Sequence, residues 1–303
     1  MSTFQPGSHY AFPAPIPDAD TTHIARKMFD IAYADLSPAQ RLDIYWPAAG
    51  NGPFPVIVAI HGGAFMGGDK RDVQLEPMLV GLERDYAVVS INYRMSGEAK
   101  FPALVHDVKA AIRWVRANAE QFLFDPTRIA VWGGSAGGYL ALMTGVAADV
   151  ATLDDPTLGN AEFPCHVQAV VDWFGPTDFL RMDAQLAESG MAPPAAFSHS
   201  GANSPESLLL GRQITEVPDL VCAANPESYL HENAPPFFIQ HGDMDEVVPY
   251  QQSVYFAARA QVILGMARVH LDLLPGARHA DPAFAAPENI QKVLAFLDQA
   301  LGA

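Results

Sequence analysis

The stretch RIAVWGGSAGGYLALMTG, at residues 128–145, places one serine between two pairs of glycines. The apolar run at 129–132 has the length of a buried strand, whereas 139–146 has the length and apolar content of a helix. Ser135 therefore lies at a predicted turn from a strand to a helix. Such a turn strains the backbone and brings chain segments close together, and glycine tolerates both.

The pattern around this serine fits the nucleophile elbow G-x-S-x-G, which exposes a serine Oγ at the edge of a sheet. A phosphate-binding loop is the alternative, but it needs G-x-x-x-x-G-K-[ST] or G-x-G-x-x-G. The stretch contains neither pattern. The other glycine-rich stretch, GGAFMGGDK at 62–70, has Asp69 where the lysine is needed and no Ser or Thr after Lys70. The sequence therefore favours a nucleophilic serine.

The composition is that of a globular protein without a polyanionic partner. The chain has 303 residues, of which 50% are hydrophobic, and this suits one large domain with a sizeable core. Its formal net charge of −16 disfavours binding to nucleic acid or to an anionic membrane. No run approaches the roughly 18 apolar residues of a membrane span, and the first residues lack the regions of a signal peptide. We therefore expect a cytoplasmic protein.

The cysteines and histidines do not indicate a metal or cofactor site. Cys165 and Cys222 have no C-x-x-C spacing, so we expect reduced, structural thiols, although one disulfide stays open. The sequence also lacks an H-E-x-x-H motif. We expect an activity that needs neither a metal nor a cofactor.

Apolar runs alternate with helical patterns along most of the chain. The predicted strands are 42–46, 56–60, 87–91, 129–132, 169–173, 237–240 and 269–274. The predicted helices are 70–84, 103–119, 136–148, 250–265 and 286–300. This alternation predicts an α/β fold in which helices cover both faces of a largely parallel sheet.

Two segments lie outside the alternation. The first thirty residues are proline-rich and then weakly helical, and we assign 1–28 as an N-terminal arm and 29–303 as the main domain. Residues 179–230 form a long stretch punctuated by prolines, and a connection of that length is usually functional. We expect this insertion to form a cap over the site.

A serine nucleophile needs a general base and a carboxylate that orients the base. On a nucleophile-elbow fold these partners follow in the order Ser, acid, His, each after a later strand. His279, in the turn after the last predicted strand, is the predicted base. The turn HGDMDEVVP offers Asp243 and Asp245, of which we favour Asp245, and Asp178 is a third candidate. The rejected aspartates are expected to cap local N–H groups.

A tetrahedral oxyanion must be held by fixed N–H donors. The stretch VIVAIHGGAF, at 56–65, is a predicted buried strand that opens into a loop with uncovered N–H groups. The N–H of Ala136, directly after the serine, is a further expected donor. We expect His61 to shape this loop through hydrogen bonds rather than to act as a second base.

Together these motifs resemble the α/β-hydrolase superfamily, and within it the hormone-sensitive-lipase-like esterases. The chain is most similar to the bacterial feruloyl/acetyl-xylan esterase-like group. The matching pieces are HGGAF at 61–65, GGDK at 67–70, NYRMSGEAKFPALVHDVKAAIRWVRANA at 92–119, WGGSAGG at 132–138, FGPTDF at 174–179, HGDMDEVVP at 241–249 and PGARH at 275–279. The resemblance implies an α/β-hydrolase fold and a carboxylic ester as substrate. It implies Ser135 as nucleophile, Asp245 as acid and His279 as base. It also implies oxyanion donors at Gly63, Ala64 and Ala136.

Two positions depart from the family pattern. Ala64 stands where lipase-like relatives have a third glycine, and Gly134 stands where many relatives have an aspartate. Neither change removes a backbone donor or a member of the predicted triad.

The residues beside the predicted site indicate a preference for short acyl chains, from acetyl to about butyryl. Ala64 adds a methyl group beside the predicted oxyanion hole. Bulky side chains of this loop and of the end of the next strand are predicted to line the pocket: Phe65, Met66, Trp173, Phe174 and Phe179. Feruloyl esters stay an alternative if these rings form a slot rather than a wall.

The leading hypothesis is a serine carboxylesterase that acts on a small-molecule ester through an acyl-enzyme. An amidase or arylformamidase would share the triad, so it stays an alternative. A catalytically dead hydrolase used as a binding module would lack a triad member, and none is missing. A homodimer is compatible with the sequence.

Overall fold

The computed structural model describes residues 16–191 and 198–302. These residues contain an eight-stranded sheet with the strand order β1-β2-β4-β3-β5-β6-β7-β8. The strands are β1 (Lys27–Ala32), β2 (Arg41–Tyr45), β3 (Phe54–Ile60), β4 (Ala87–Ile91), β5 (Phe124–Gly134), β6 (Ala169–Trp173), β7 (Phe237–Gly242) and β8 (Val269–Leu274). The pairs from β4 to β8 are parallel, whereas β1 and β2 are antiparallel additions at one edge. The predicted α/β-hydrolase fold is confirmed.

Helices cover both faces of this sheet. The α-helical segments of the described residues are α1 (Glu76–Leu79), α2 (Ala103–Ala117), α3 (Ala119–Phe122), α4 (Ala136–Val146), α5 (Met182–Glu188), α6 (Pro205–Leu210), α7 (Pro218–Ala224), α8 (Gln251–Leu264) and α9 (Pro287–Leu301). One apolar core includes side chains of α2, α4 and α8, and a second core includes side chains of α1 and α9. The sheet separates the two cores because successive side chains of a strand point to opposite faces.

The parallel register brings several strand ends to one edge of the sheet. Ile60, the last residue of β3, pairs with Gly133 of β5. Gly134 then pairs with Trp173 of β6, and Trp173 with Gln240 of β7. The loops that follow β3, β5, β6 and β7 therefore meet at this edge.

Two predicted elements differ from the structure. Within residues 16–30, the predicted weak helix is wrong, because Lys27–Ala32 forms the edge strand β1. Its Met28 and Phe29 are exposed, so the strand lacks the buried apolar run that identifies the others. The prediction for residues 1–15 lies outside the described residues. The helix predicted at 70–84 is instead three short turns, Val73–Leu75, Glu76–Leu79 and Val80–Arg84. Pro77 has no N–H to continue a longer helix through this segment.

The insertion at 179–230 contains α5, α6 and α7, and its residues 192–197 lie outside the described residues. It packs on the helix that follows the nucleophile, since Tyr139 Oη donates a hydrogen bond of 2.8 Å to the Ala224 carbonyl. It also reaches the loop after β7, where His199 Nε2 donates to the Val247 carbonyl at 2.8 Å. Its role as a cap stays a prediction.

The described part of the N-terminal segment lies along the turn before α1. The N–H of Val73 donates to the Pro17 carbonyl, and the N–H of Ala19 donates to the Arg71 carbonyl, both at 2.7 Å. The division into an arm and a domain at residue 28 stays a prediction. Cys165 is buried and Cys222 is exposed, and both are free thiols. Within residues 16–191 and 198–302, no helix combines the length and apolar content that crossing a membrane requires.

Candidate active site

Ser135 lies between the end of β5 and the start of α4, as predicted for a nucleophile elbow. Its backbone has φ 56° and ψ −122°, which is strained for a residue with a side chain. Its N–H donates to the Trp173 carbonyl at 2.8 Å, and its carbonyl accepts from the Tyr139 N–H at 3.0 Å. A Cβ on Gly133 would overlap the Gly137 carbonyl. The flanking glycines therefore let the chain turn sharply enough to expose the hydroxyl.

The structure brings the three predicted triad residues into one hydrogen-bonded chain. His279 Nε2 is 3.1 Å from Ser135 Oγ, and His279 Nδ1 is 2.7 Å from Asp245 Oδ2. The two bonds are satisfied together when Nδ1 carries the proton and the serine hydroxyl donates to Nε2. The imidazole is therefore in the tautomer that can accept the serine proton.

Four donors face the Asp245 carboxylate, which is fully buried. Its Oδ1 accepts the N–H groups of Val247 and Val248 at 2.8 and 2.9 Å. Its Oδ2 faces His279, and His241 Nε2 lies 3.2 Å from the same oxygen. Burial alone would raise the pKa of Asp245, but the interactions with His279 and His241 outweigh burial and hold that pKa well below its ordinary value. Asp245 is therefore ionised at neutral pH.

Asp243 and Asp178, the two aspartates not chosen as the acid, accept backbone N–H groups in turns, as predicted. Asp243 Oδ1 accepts the Gly276 N–H at 2.6 Å and so holds the turn that carries His279. Asp178 accepts the Leu180 N–H at 3.2 Å and forms an ion pair with Arg181. Within the described part of the chain, neither of these aspartates forms a hydrogen bond with the His279 imidazole.

The loop after β3 offers the predicted oxyanion donors in an unusual backbone conformation. Gly63, Ala64 and Phe65 have φ values of 126°, 53° and 62°. Among the residues that the structure describes, none accepts a hydrogen bond from the N–H of Gly63, Ala64 or Ala136. These N–H groups are therefore free to donate to a developing oxyanion.

His61 anchors the start of this loop. Its Nδ1 donates to the Gly62 carbonyl at 2.7 Å, and its ring stacks on Tyr93 with 4.6 Å between centroids. Tyr93 Oη in turn donates to the His61 carbonyl at 2.9 Å. Burial lowers the pKa of His61, so the ring is neutral and holds the loop by hydrogen bonding.

The aromatic residues predicted to line the pocket occupy different places. Phe65 and Phe179 are buried and pack on Tyr139 with centroid distances of 5.4 and 5.5 Å. Trp173 is buried on the opposite face of the sheet from these rings, and its Nε1 donates to Gln240 Oε1 at 2.7 Å. Met66 is partly exposed on the oxyanion loop. The lining role of these residues stays a prediction.

Phe174 is the aromatic residue that the structure places against the triad. Its ring lies edge-to-face on His279, with 4.9 Å between centroids. A Cβ on Gly134 would lie 3.1 Å from the same ring. The absence of an aspartate at position 134, a departure from many relatives, therefore leaves room for this ring.

Several residues that support the site could not be assigned from the sequence motifs. Gln74 accepts the Gly62 N–H at 3.0 Å, and Ser253 Oγ lies 2.7 Å from His241 Nδ1. Both lie outside the motifs, and only the fold brings them to the site. Within the described residues, no group of three or more His, Cys, Asp or Glu side chains is arranged to hold a metal ion.

Several proteins that are similar to this chain are named esterases. Residues 42–259 match the family model described as BD-FAE. Esterase LipQ of Mycobacterium tuberculosis is 34% identical over 261 residues, which are 84% of this chain and 58% of LipQ. The chain therefore spans less than two thirds of that relative.

Two solved structures share the fold over nearly the whole chain. A bifunctional GH43-CE of Bacteroides eggerthii has a TM-score of 0.81 and 34% identity, and the match covers 91% of this chain and 35% of that one. A truncated form of a carbohydrate esterase from gut microbiota has a TM-score of 0.80 and 30% identity, and the match covers 94% of this chain and all of that one. The family resemblance inferred from the motifs is confirmed. The chain belongs to the BD-FAE family of hormone-sensitive-lipase-like α/β-hydrolases.

Proposed function

We propose that the protein is a serine hydrolase of carboxylic esters, with Ser135 as nucleophile, His279 as general base and Asp245 as orienting acid. The observation that carries this proposal is the continuous hydrogen-bonded chain from Ser135 Oγ through His279 to Asp245. These side chains lie beside the N–H groups of Gly63, Ala64 and Ala136, which have no acceptor among the described residues.

In the acylation step, His279 Nε2 takes the hydroxyl proton while Ser135 Oγ attacks the ester carbonyl. The carbonyl π electrons move to oxygen, and the N–H groups of Gly63, Ala64 and Ala136 donate to the resulting oxyanion. When the tetrahedral intermediate collapses, the bond to the alcohol breaks and His279 returns the proton to the leaving alkoxide. An acyl-enzyme on Ser135 remains.

In the deacylation step, a water molecule takes the place of the alcohol. His279 removes a proton from this water as it attacks the acyl carbon, and the same N–H groups hold the second oxyanion. Collapse releases the carboxylic acid and returns the proton to Ser135. Asp245 stays ionised throughout and stabilises the imidazolium, in agreement with its lowered pKa.

A short acyl chain is the substrate that the oxyanion loop favours. Ala64 places a methyl group where lipase-like relatives have a glycine, and Phe174 packs against the imidazole. A longer acyl chain would have to pass these groups. A cavity that accepts a methylene gains only about 1–3 kcal/mol from it, whereas steric overlap rejects it outright.

An acyl group carried by a carbohydrate is the second substrate class. The similar structure named a carbohydrate esterase supports it at 30% identity over 94% of this chain. An amide or formamide substrate would use the same residues and is distinguished by direct assay. We propose that none of these reactions needs a cofactor.

Ser135→Ala tests the mechanism. Removing a triad nucleophile lowers kcat by about 10⁶ in a comparable hydrolase, and the hydroxyl contributes little packing, so activity should vanish while Tm stays nearly constant. The assay compares wild type and variant on acetyl, butyryl, octanoyl, palmitoyl and feruloyl esters, an acetylated xylan fragment and an acetamide. Retention of more than about a tenth of wild-type turnover would exclude the serine mechanism. A maximum of kcat/KM at octanoyl or beyond would exclude the short-acyl preference alone.

A further inference from the structure

The oxyanion loop holds a conformation that its own residues disfavour. Ala64 and Phe65 are consecutive residues with side chains and positive φ. Each such residue costs on the order of 1–3 kcal/mol and persists only where the surroundings hold it. The N–H groups of Met66 and Gly67 both donate to the Gly63 carbonyl, so the loop is closed at its far end. The near end is held by other groups, one of which is His61, whose Nδ1 donates to the Gly62 carbonyl.

Gly62 is the near end, and it is confined between two groups. A Cβ on Gly62 would lie 2.7 Å from the Gly134 carbonyl oxygen and 3.3 Å from Ser135 Cβ, which places it against the nucleophile elbow. On its other side the same atom would lie 2.8 Å from Gln74 Oε1. The Gly62 N–H donates to that oxygen at 3.0 Å.

Gln74 is itself held in one orientation. Its Nε2 donates to Asp72 Oδ2 at 3.1 Å, which fixes the amide so that Oε1 faces Gly62. The buried Asp72 carboxylate also accepts the N–H groups of Asp69 and Gln74. The chain Asp72–Gln74–Gly62 therefore connects the turn before α1 to the first peptide of the oxyanion loop.

We propose that Gln74 is a positioning residue that sets the oxyanion donors through its hydrogen bond to the Gly62 N–H. This inference rests on the proposed function, because it assigns Gln74 to the same hydrolytic site. Gln74 does not touch the reacting atoms. It fixes the peptide that precedes Gly63 and Ala64, whose N–H groups must lie about 2.7–3.1 Å from the oxyanion to stabilise it.

The first test replaces Gln74 by methionine, which keeps the length of the side chain and removes both hydrogen bonds. The matched control is Gln168→Met, because Gln168 Oε1 also accepts a backbone N–H, that of Ile129, at 3.0 Å. Gln168 directly precedes β6, so it lies at the opposite end of the parallel strands from the site. Loss of one oxyanion donor costs about 10²–10³ in kcat, so misplacing the donors should lower kcat by about 10- to 100-fold. KM should change by less than about threefold, since the ground state gains little from the oxyanion hole.

Wild-type, Gln74→Met and Gln168→Met proteins are compared for kcat, KM and Tm on the best ester. We expect similar losses of Tm in the two variants and a loss of kcat in Gln74→Met alone. A Gln74→Met variant that keeps more than about half of wild-type kcat would overturn the inference, as would an equal loss in Gln168→Met. An inactive wild-type protein would instead refute the proposed function, so the two failures are distinguishable.

The second variant is Gln74→Glu, which keeps the size and shape of the side chain. A glutamate can still accept the Gly62 N–H, but it would face the Asp72 carboxylate, whose pKa burial already raises. The other titratable side chains that line this cavity are His61, Asp69 and Lys70. They are the same in wild type and variant, so their titration cancels in a ratio of the two proteins. At low pH the two carboxyl groups share a proton and keep both hydrogen bonds, whereas at high pH their charges repel.

The ratio of kcat in Gln74→Glu to kcat in wild type should therefore fall as the pH rises from acidic to alkaline values, across the range in which the two carboxyl groups lose their shared proton. A ratio that stays constant over this range would overturn the proposed chain through Asp72. A falling ratio, with Tm followed at each pH to show that the fold persists, would support it.

Discussion

Asp172 and Asp245 are both fully buried carboxyl groups near the ends of neighbouring strands, yet their pKa values are shifted in opposite directions. Asp172 lies in β6, and its Oδ1 accepts one N–H, that of Gly175, at 3.0 Å. Its Oδ2 has no partner among the residues that the structure describes. Burial raises the pKa of Asp172 to about 7, and the single N–H from Gly175 lowers it only in part. At Asp245, the interactions with His279 and His241 overcome the same effect, and two backbone N–H groups also donate to the carboxylate.

The difference shows that burial alone does not decide the pKa of a carboxyl group in this protein, because the groups that face the carboxylate can outweigh burial. Desolvation disfavours the ionised form at both positions. Asp245 is ionised because its interactions with His279 and His241 outweigh burial, and the turn after β7 also directs two N–H groups at Oδ1. Asp172 instead packs against backbone, since a Cβ on Gly138 or Gly175 would overlap its Oδ1. Only the ionised carboxylate can orient an imidazole.

The strongest loss of activity is predicted for a substitution of Asp245, the ionised carboxylate. In Asp245→Asn, the amide favours the wrong tautomer of His279, and kcat should fall by about 10⁴. Asp243→Asn and Asp178→Asn are matched controls, because an asparagine oxygen can still accept the N–H groups that these residues cap. Steady-state kinetics of the three variants decide the assignment. If Asp178→Asn lost the most activity, the assignment of Asp245 as the orienting acid would be wrong.

The second prediction tests the raised pKa of Asp172 through the free energy of unfolding. The pKa of Asp172 is about 7 in the folded protein and about 4 in an unfolded chain, so between these values the folded state keeps a proton that the unfolded state releases. The contribution of Asp172 to the free energy of unfolding is therefore complete below about pH 4. It falls by roughly 1.4 kcal/mol per pH unit up to about pH 7 and then levels off.

Asp172→Asn removes this titration and keeps the acceptor for Gly175. The free energy of unfolding of the variant, relative to wild type, should therefore rise between about pH 4 and 7. Urea unfolding of both proteins across this range measures the difference. Parallel curves would mean that Asp172 is ionised in the folded protein, and the contrast with Asp245 would then disappear.

The sequence predicted the parts of the fold and site that depend on local pattern. The apolar runs of β2 to β8 identify these strands without knowledge of their neighbours. The positions of Ser135, Asp245 and His279 after strand ends follow from the order of the motifs. The edge strand β1 could not be predicted this way, because its side chains are partly exposed.

The residues that support the site depend on distant parts of the chain. Gln74 precedes Ser135 by about sixty residues, and its role follows from one contact with Gly62. Asp172 lies within the apolar run AVVDW, where the sequence does not reveal how many donors will face it. Such roles require the fold, since they are set by which groups meet and not by local pattern.

The mildest loss of activity is predicted for Ser253→Ala, which removes one indirect support of Asp245. Ser253 Oγ donates to His241 Nδ1 at 2.7 Å, which keeps the proton of His241 on Nε2, facing both the Val248 carbonyl and Asp245 Oδ2. Without the hydroxyl, the other tautomer would direct a lone pair at these two oxygens. A buried hydrogen bond contributes about 1 kcal/mol, which corresponds to about a fivefold loss of kcat in Ser253→Ala. The control is Thr144→Val, which removes another buried hydroxyl, one that donates to the Leu140 carbonyl within α4 and does not touch the turn after β7. Equal activity of Ser253→Ala and wild type, or an equal loss in Thr144→Val, would mean that His241 does not support Asp245. The ionisation of Asp245 would then rest on its backbone N–H donors and His279 alone.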